Sequence, residues 1–433
     1  MQNENPIYDA KVLGYPKMIL LGVQHTFAMF GATVLVPILT GLDVSTTLLM
    51  AGLGTLLFHL LTKGKVPAFL GSSFAFLGGY AAVAPMIDGK PNVEMLPYAG
   101  GGVFCAGLIY VLLSGLIKLY GVKKVMAFFP PVVTGPIIIS IGLILAPTAI
   151  HNCRTNWLLA VVAMGTIIFF NIWGRGMLKI IPIILGVIAS YVLAILTGAV
   201  DLSALATKTV VAVPTFTLMK FDISSIVTVM PLALATMMEH IGDISAIGAT
   251  TGKNYIANPG LHRTLLGDGL ATCLSAAFGG PANTTYGENT GVLALTKVYD
   301  PKVIRLAACF AIIISFLPHV NFLISSIPAG TIGGVSLILY GMISAIGIRN
   351  VVENRVDFTK SRNTIIAALI LVCALGFSAT GGISFRAFGA TISLSGLAIA
   401  AIVGILANAI LPGNEYVFDE DDGTEQKFQT FEI

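Results

Sequence analysis

The chain consists of long apolar stretches that are separated by short polar connections. A helix needs about 20 apolar residues to cross the hydrocarbon core of a bilayer, and most of these stretches reach or approach that length. The pattern predicts an all-α polytopic membrane protein. It predicts fourteen membrane-crossing segments, at approximately residues 18–40, 44–62, 68–85, 97–120, 127–149, 156–173, 178–199, 224–247, 262–280, 282–298, 303–325, 328–348, 363–380 and 388–411.

Segments 3 and 10 differ from the others because polar residues interrupt them. Segment 3 contains Gly71-Ser72-Ser73-Phe74, and segment 10 contains Asn283-Thr284-Thr285-Tyr286. Extended backbone at membrane depth is tolerated only where protein or a water-filled cavity meets its N–H and C=O groups. We therefore predict one short strand in each broken segment, with the two strands antiparallel and a short half-helix after each.

The two broken segments also correspond to each other. Their polar runs have similar chemistry, and the pairs Gln24-His25 and Glu239-His240 are separated along the chain by nearly the same interval as the two runs. This interval equals seven segments, an odd number, which places the second copy upside down, as in the inverted repeats of secondary transporters. The sequence thus predicts two inverted repeats of seven segments each.

Composition and charge support a membrane location. Hydrophobic residues make up 56% and charged residues 10% of the 433-residue chain, whereas soluble domains have about 25% charged residues. With fourteen segments, 19 of the 24 Lys and Arg residues fall on the side of the N-terminus, so both termini should be cytoplasmic. The expected location is the cytoplasmic (inner) membrane. A net charge of +3 gives no reason to expect a nucleic-acid partner, and the five isolated cysteines form no metal motif.

Four acidic residues lie in these apolar segments, and three of them, Glu239, Asp243 and Glu288, are candidates for a functional site. An ionisable group at membrane depth costs several kcal/mol, roughly 2.5 to 3.5 on insertion scales, so it usually lines a substrate or ion path. Glu239 and Asp243 are four residues apart on one helical face, and Glu288 begins the helical part of segment 10. Buried carboxyls that lie close together cannot all stay ionised, so one of them could couple transport to H⁺. His25 is either a satisfied core histidine or part of substrate or proton handling.

The groups beside these acids suggest the class of ligand. The extended residues Ser73, Phe74, Tyr286 and Gly287 precede the two half-helices and offer backbone N–H groups and aromatic rings. Free N–H groups at helix starts suit carbonyl oxygens. A flat neutral heterocycle with N–H donors and carbonyl acceptors, such as a pyrimidine or an oxidised purine, could satisfy the backbone donors and the carboxylates together. An anion such as sulfate would be repelled by the acids.

These residues carry a family resemblance. The run Glu288-Asn289-x-Gly291-x-x-x-x-Thr296-Lys297 resembles the signature of the nucleobase/ascorbate transporter (nucleobase:cation symporter) family. Further motifs resemble those of the bacterial uracil permeases within it, namely Gln24-His25-x-Phe27-Ala28-Met29-Phe30-Gly31-Ala32-Thr33, Gly71-Ser72-Ser73-Phe74-Ala75-Phe76, Asn283-Thr284-Thr285-Tyr286-Gly287 and Gly334-Val335-Ser336-x-x-x-Tyr340-Gly341. The resemblance extends from about residue 15 to 411 with the motifs in order.

The resemblance implies a core domain of segments 1–4 and 8–11 and a gate domain of segments 5–7 and 12–14. It further implies H⁺-coupled uptake of uracil by alternating access, in which the core moves against the gate, together with a homodimer and no cofactor or metal. In residue numbers, the expected parts are an N-terminal tail 1–17, core 18–120, gate 127–199, core 224–325, gate 328–411 and a C-terminal tail 412–433.

Residue roles are also implied by the resemblance. Glu239 and Glu288 accept hydrogen bonds from the pyrimidine, and the backbone N–H groups of Phe74 and Gly287 donate to its carbonyl oxygens.

The aromatic side chains of Tyr286 and Tyr340 flank the base in this comparison, and Ser73 adds a further polar group. One position departs from the family pattern, because some members have a histidine where this chain has Asp243. The coupled proton is therefore assigned to the set Glu239, Asp243, Glu288 and His25 without a choice among them.

Other interpretations stay open. The substrate could be xanthine or another purine base, and the protein could be an uncoupled nucleobase channel. An enzyme is not expected, because the sequence has no His-Glu-x-x-His motif and no nucleophile with its base. Structural roles are expected for His240 and Asn289 and a helix-packing role for Asp268, and even Glu239 and Glu288 could serve to hold broken backbone.

Overall fold

The computed structural model describes residues 6–87, 90–203, 205, 208–387 and 390–413, with the backbone alone at 180, 288, 387 and 390–393. Within these residues, seven helices are at least 18 residues long and apolar enough to cross a membrane. The predicted class of mostly helical, multi-pass membrane protein is therefore confirmed. Most of the predicted C-terminal tail, the first five residues of the N-terminal tail and the side chain of Glu288 lie outside the described part.

The helices of the first half mostly follow the apolar stretches. They are α1 (Tyr15–Thr40), α2 (Val44–Leu61), α3 (Leu77–Val83), α4 (Leu96–Tyr120), α5 (Val122–Met126), α6 (Pro131–Thr155), α7 (Trp157–Trp173), α8 (Met177–Ile180) and α9 (Pro182–Leu196). Those of the second half are α10 (Ile223–Val229), α11 (Leu232–Thr251), α12 (Leu261–Ala277), α13 (Glu288–Thr296), α14 (Pro301–Ser315), α15 (Pro318–Ser325), α16 (Ala329–Glu353), α17 (Ser361–Ala379) and α18 (Gly396–Ile410).

Polar side chains set the start of several helices. A side-chain oxygen just before the helix accepts a hydrogen bond from a backbone N–H of its first turn, which has no partner inside the helix. The residues that do this for α2, α7, α10, α14 and α18 are Asp43, Asn156, Asp222, Asp300 and Ser395. Glycines in the left-handed conformation, Gly41 and Gly252, end α1 and α11.

The two interrupted segments pair with each other as short strands. Strand β1 (Leu70–Ser72) runs antiparallel to β2 (Asn283–Thr285), with Gly71 opposite Thr284. A 3₁₀ turn, Phe74–Phe76, and α3 follow β1, while α13 follows β2. The prediction of two broken segments with antiparallel strands and short half-helices is confirmed.

Helix packing divides most of the helices into two groups. In the first group, α12 packs against α2 and α4, and α14 packs against α1 and α2. In the second group, α6 packs along α16, with α7 against α16 and α17 against α6 and α18. Gly142 of α6 lies directly against the Tyr340 carbonyl of α16, where a side chain would not fit.

Two predicted segments are wrong in detail. Segment 303–325 is not one continuous helix, because α14 and α15 meet at an angle of 85°. Pro318 begins α15, and a proline there has no N–H to continue the preceding helix and restricts Leu317 to extended backbone.

Segment 388–411 is helical only from Gly396. Residues 390–394 instead form a strand, β4 (Ala390–Leu394), that pairs antiparallel with β3 (Ile383–Ala387). The fold class therefore needs a second two-stranded sheet. The reason lies in the alternation of apolar and polar residues in β3, which has the period of a strand rather than of a helix.

Candidate substrate-binding site

The broken segments satisfy each other's backbone at membrane depth. Beyond the paired strand residues, the Ser73 N–H donates to the Ala282 carbonyl and the Tyr286 N–H to the Phe69 carbonyl, both at 2.9 Å. All residues of β1 and β2 are buried. Each strand thus supplies the hydrogen-bond partners that lipid cannot supply.

A buried polar network attaches β2 to α11 and α12. The Asp268 carboxylate of α12 accepts hydrogen bonds from the Thr285 N–H at 3.0 Å and from the Thr285 hydroxyl at 2.9 Å. His240 Nδ1 of α11 lies 2.8 Å from the same carboxylate, and its Nε2 lies 2.9 Å from the Thr264 hydroxyl. The expected helix-packing role for Asp268 is therefore too narrow, because its carboxylate fixes the strand that leads into α13.

The Tyr286 ring covers the backbone of β1. Its hydroxyl donates to the Ser72 carbonyl at 2.8 Å, and the side chain is only 5% exposed. A Cβ added to Gly71 would lie 2.5 Å from the ring, so glycine is required for this contact. The Ser72 hydroxyl in turn donates to the Thr33 carbonyl of α1 at 2.9 Å, which ties the strand to a third element.

Phe74 and Tyr340 bring the two helix groups together. Phe74 begins the 3₁₀ turn after β1, and Tyr340 lies in the middle of α16. Their ring centroids are 6.4 Å apart and the ring planes are inclined by 76°, an edge-to-face contact. Both side chains are buried. Two predicted site residues that are far apart in sequence are therefore neighbours in the structure.

The acidic residues lie on α11 and at the start of α13. A Cβ added to Gly287 would lie 2.9 Å from Asp243 Oδ1, so this carboxylate is next to the residue that precedes α13. Glu239 is one turn earlier on α11, and both acids are partly buried. Glu288 is the first residue of α13, and its side chain is not among the described ones.

His25 of α1 lies beside Asn289 of α13. The Asn289 side-chain nitrogen is 3.4 Å from both His25 Nδ1 and the His25 carbonyl oxygen, and both residues are buried. Within the described part of the chain, His25 Nε2, Asn289 Oδ1 and Ser73 Oγ have no hydrogen-bond partner. Buried polar atoms are usually paired, so these three unsatisfied atoms are candidates for contact with a ligand.

A cavity of about 400 Å³ lies between the two helix groups. Its walls include Ala28 of α1 and Gly291 and Leu295 of α13 on one side, and Ile183 of α9 and Met342 of α16 on the other. The cavity is thus next to the later part of α13, where Gly291, Ala294 and Leu295 line it.

Thr264 and Thr33 help to hold this site together. Thr264 was not recognised in the sequence, and Thr33 appeared there only as the last residue of a motif. The only signal for the network was the lone Asp268 between two glycines in an apolar run. Among the described residues, His, Cys, Asp and Glu side chains form no group that could hold a metal ion.

The sequence matches the Permease family over residues 16–383. The chain belongs to this family. It is 42% identical to the uracil permease of Bacillus caldolyticus, with 96% of this chain and 97% of the relative covered. It is 39% identical to the uracil permease of Bacillus subtilis (strain 168), with 91% and 92% covered, and 38% identical to that of Escherichia coli (strain K12), with 93% and 95% covered. The resemblance to the nucleobase transporter family is confirmed, and the chain is a permease rather than an enzyme.

Solved structures of other transporters share the fold of this permease. The transmembrane domain of the cyanobacterial bicarbonate transporter BicA matches with a TM-score of 0.65 at 15% identity, over 87% of this chain and 98% of that domain. SLC26A9 matches with a TM-score of 0.66 at 13% identity, over 92% of this chain and 65% of that one. At such low identity, the likeness concerns the fold alone.

Proposed function

We propose that this permease takes up uracil across the cytoplasmic membrane together with protons. The observation that carries the proposal is the contact between Phe74 and Tyr340, because it joins the two helix groups at the start of a half-helix. Aromatic rings at such a junction can hold a flat base. The names of the relatives support uracil as the base.

The proposed architecture is fourteen segments in two inverted repeats. The strand register supports this architecture. When the two polar runs are aligned, Gly71 corresponds to Asn283 and Ser72 to Thr284. In the sheet, Gly71 pairs with Thr284, the counterpart of Ser72, and Ser72 pairs with Asn283, the counterpart of Gly71. A two-fold axis through the strands requires this relation. We assign the group around α12 to the core and the group around α6 and α16 to the gate. The termini are proposed to be cytoplasmic and the protein a homodimer, as in the family comparison.

In the proposed complex, uracil lies between the half-helix starts and the acids of α11. The N–H groups of Phe74 and Gly287 donate to its carbonyl oxygens; within the described part of the chain, neither N–H donates to a protein acceptor. Glu239 and Glu288 accept from the N–H groups of the base. Tyr286 and Tyr340 enclose its faces, and the unpaired hydroxyl of Ser73 adds a polar contact.

Proton coupling is assigned to the carboxyl groups around the base. Asp243 lies beside Gly287, so its charge acts directly on the start of α13, where Glu288 is located. Two carboxylates close together at membrane depth repel each other, and a proton shared within the set Glu239, Asp243 and Glu288 relieves this repulsion. His25, through Asn289, connects the same helix to α1 and is the fourth member of the set.

The cavity between the helix groups supports alternating access. It lies between α13 of the proposed core and α9 and α16 of the proposed gate, so a base released from the acids would enter it. Movement of the core against the gate would close this cavity and open a path on the opposite side of the site.

Accumulation of labelled uracil in proteoliposomes tests the function. With an inward proton gradient, uracil should rise inside the vesicles above its external concentration, and a protonophore should abolish the excess. Equilibration without accumulation would indicate the uncoupled channel instead. Competition by unlabelled uracil, thymine, xanthine, cytosine and ascorbate separates uracil from the purine alternatives.

The Glu288→Gln variant is expected to bind uracil at least about tenfold more weakly, because an amide places a donor where the base needs an acceptor, and hydrogen bonds to charged groups contribute about 1.5–3 kcal/mol. Equilibrium binding of labelled uracil to the purified protein measures this. The exposed residue Glu94 provides a matched control, since Glu94→Gln should bind like the unchanged chain. Wild-type affinity in Glu288→Gln would contradict the role of Glu288.

A further inference from the structure

An N-terminal strap, residues 6–13, lies across the ends of two helices that carry the acids of the site. It consists of an extended start and a single 3₁₀ turn, Ala10–Leu13, which Asp9 caps. Apolar residues of the strap pack in a small cluster separate from the main core, together with Met18, Val298 and Val303. The strap is thus part of the folded structure rather than a free end.

The first attachment is to the end of α13. The Ile7 N–H donates to the Lys297 carbonyl, and the Tyr299 N–H donates to the Ile7 carbonyl, both at 2.8 Å. The Ala10 N–H donates to the Asp300 carboxylate at 2.8 Å, and Lys302 joins Asp9 to Asp300. These bonds fix the chain directly after α13.

The second attachment is to the end of α11. The Tyr8 hydroxyl donates to the carbonyl of Thr251, the last residue of α11, at 2.7 Å. The Tyr8 ring also lies 5.6 Å from the Tyr299 ring, and the Lys253 ammonium lies 4.3 Å from its centroid. Tyr8 therefore bridges the chain after α11 and the chain after α13.

Helix α13 depends on its end for its position. Helix α13 has only nine residues, and one side of it faces the cavity: a Cβ added to Gly291 would meet nothing within 4 Å. At 1.5 Å per residue, Glu288 is about 14 Å from the strap along α13, and Glu239 is about 18 Å from Thr251 along α11. Helices transmit a displacement of one end to the other over such lengths.

We propose that Tyr8 is a positioning residue that sets the spacing of Glu239 and Glu288 by clamping the ends of α11 and α13. The inference rests on the proposed function of these acids in uracil binding. It assigns the strap a part in substrate affinity, although no strap residue touches the substrate.

Two variants separate the two attachments. Tyr8→Ala removes the bond to Thr251 and the ring contacts, whereas Ile7→Pro removes the N–H that binds the end of α13. Each should raise the KM for uracil uptake between about threefold and tenfold, the range that loss of one or two polar contacts can produce. Tyr8→Phe keeps the ring contacts but not the bond to Thr251, so its KM should lie between those of the wild type and Tyr8→Ala. Vmax per folded protein in the membrane should stay within about twofold of wild type.

The matched control is Tyr15→Ala, since Tyr15 follows the strap and is 82% exposed. It should leave KM unchanged. A merely structural strap would lower the amount of folded protein and Vmax but not change KM. Unchanged KM in both Tyr8→Ala and Ile7→Pro would overturn the proposal.

A readout without uracil keeps the two proposals distinguishable. Gly291→Cys places a thiol on the cavity side of α13. The rate at which a maleimide labels this thiol, after subtraction of the rate for the parent chain, reports the position of the helix. Tyr8→Ala and Ile7→Pro should change that rate at least twofold, and Tyr15→Ala should not. If the wild type takes up no uracil, the proposed function fails and only the labelling rate tests the role of Tyr8. An unchanged rate in Tyr8→Ala and Ile7→Pro would then refute that role.

Discussion

The carboxylate of Asp268 accepts two hydrogen bonds, both from Thr285, in a place where neither water nor lipid could supply them. His240 Nδ1 lies 2.8 Å from the same carboxylate, so Asp268 joins α12, β2 and α11. Asp268 and His240 are fully or almost fully buried. A buried charge is stable only while its partners are in place, which makes this residue sensitive to even a small change.

In detergent, the Asp268→Asn variant is expected to unfold at a clearly lower temperature than the wild type. The amide nitrogen would point a donor at the Thr285 N–H or hydroxyl, which should cost about 3 kcal/mol or more. The control is Asp357→Asn, because Asp357 is exposed and caps only the turn between α16 and α17. Equal unfolding temperatures for the two variants would show that the network does not hold β2.

The sequence was informative about residues that stand out chemically. Glu239, Asp243 and Glu288 could be selected because acids are rare in apolar segments, and Asp243 lies beside Gly287 in the structure. The partner of Asp268 could not be predicted, because Thr285 lies 17 residues away behind a turn whose geometry only the folded chain defines.

Among the elements, β1 and β2 were predictable and the later irregularities were not. Polar residues in an apolar run exclude a regular spanning helix, which left a strand as the alternative. The bend before Pro318 lies in a run that stays apolar on both sides, and a proline in such a run can either kink a helix or end it. The β3–β4 hairpin was not predicted because residues 388–394 carry no charge and were included in the last apolar segment.

Gly71→Ala is expected to reduce uracil affinity by about tenfold, because the new methyl would meet the Tyr286 ring at 2.5 Å and Thr33 Oγ1 at 2.8 Å; overpacking of this kind costs about 1–3 kcal/mol. Labelled-uracil binding measures the loss. Gly78→Ala in α3 is the matched control, since its methyl would meet nothing within 4 Å. If both alanines bind uracil equally well, the packing of Tyr286 on β1 is not needed for the site.

For the molecule as a whole, the paired motifs predict an inverted repeat, but the packing partners of the helices could not be predicted. The close contact of α6 with α16 depends on which glycines face each other, and glycines are frequent throughout this chain. The fold is shared with BicA and SLC26A9, a bicarbonate transporter and an anion transporter. Fold does not determine substrate. Because of the acids on α11 and α13, we expect this permease to take a neutral base rather than an anion.

A cross-link between the proposed core and gate should stop transport. In Gly31→Cys/Ile183→Cys the two Cβ atoms, one on α1 and one on α9, would be 3.3 Å apart, close to the roughly 3.5–4.5 Å that a disulfide needs. Oxidation should abolish uracil uptake, and reduction should restore it.

A cross-link inside the proposed gate is the control for this experiment. In Gly135→Cys/Val351→Cys the Cβ atoms, on α6 and α16, would be 3.6 Å apart, and oxidation should leave uptake unchanged. Full uptake by the oxidised core–gate pair would rule out relative movement of the two groups.

The pairing of β1 with β2 has a consequence for biosynthesis. After Ser72, a ribosome must complete the rest of the first half and several helices of the second before Asn283, its strand partner, exists. Until Asn283 exists, the backbone N–H and C=O groups of β1 have no partner strand, and lipid cannot form hydrogen bonds with them. The nascent chain must therefore keep this stretch hydrated or shielded by the insertion machinery, and the transport pathway is completed only when the second half enters the membrane.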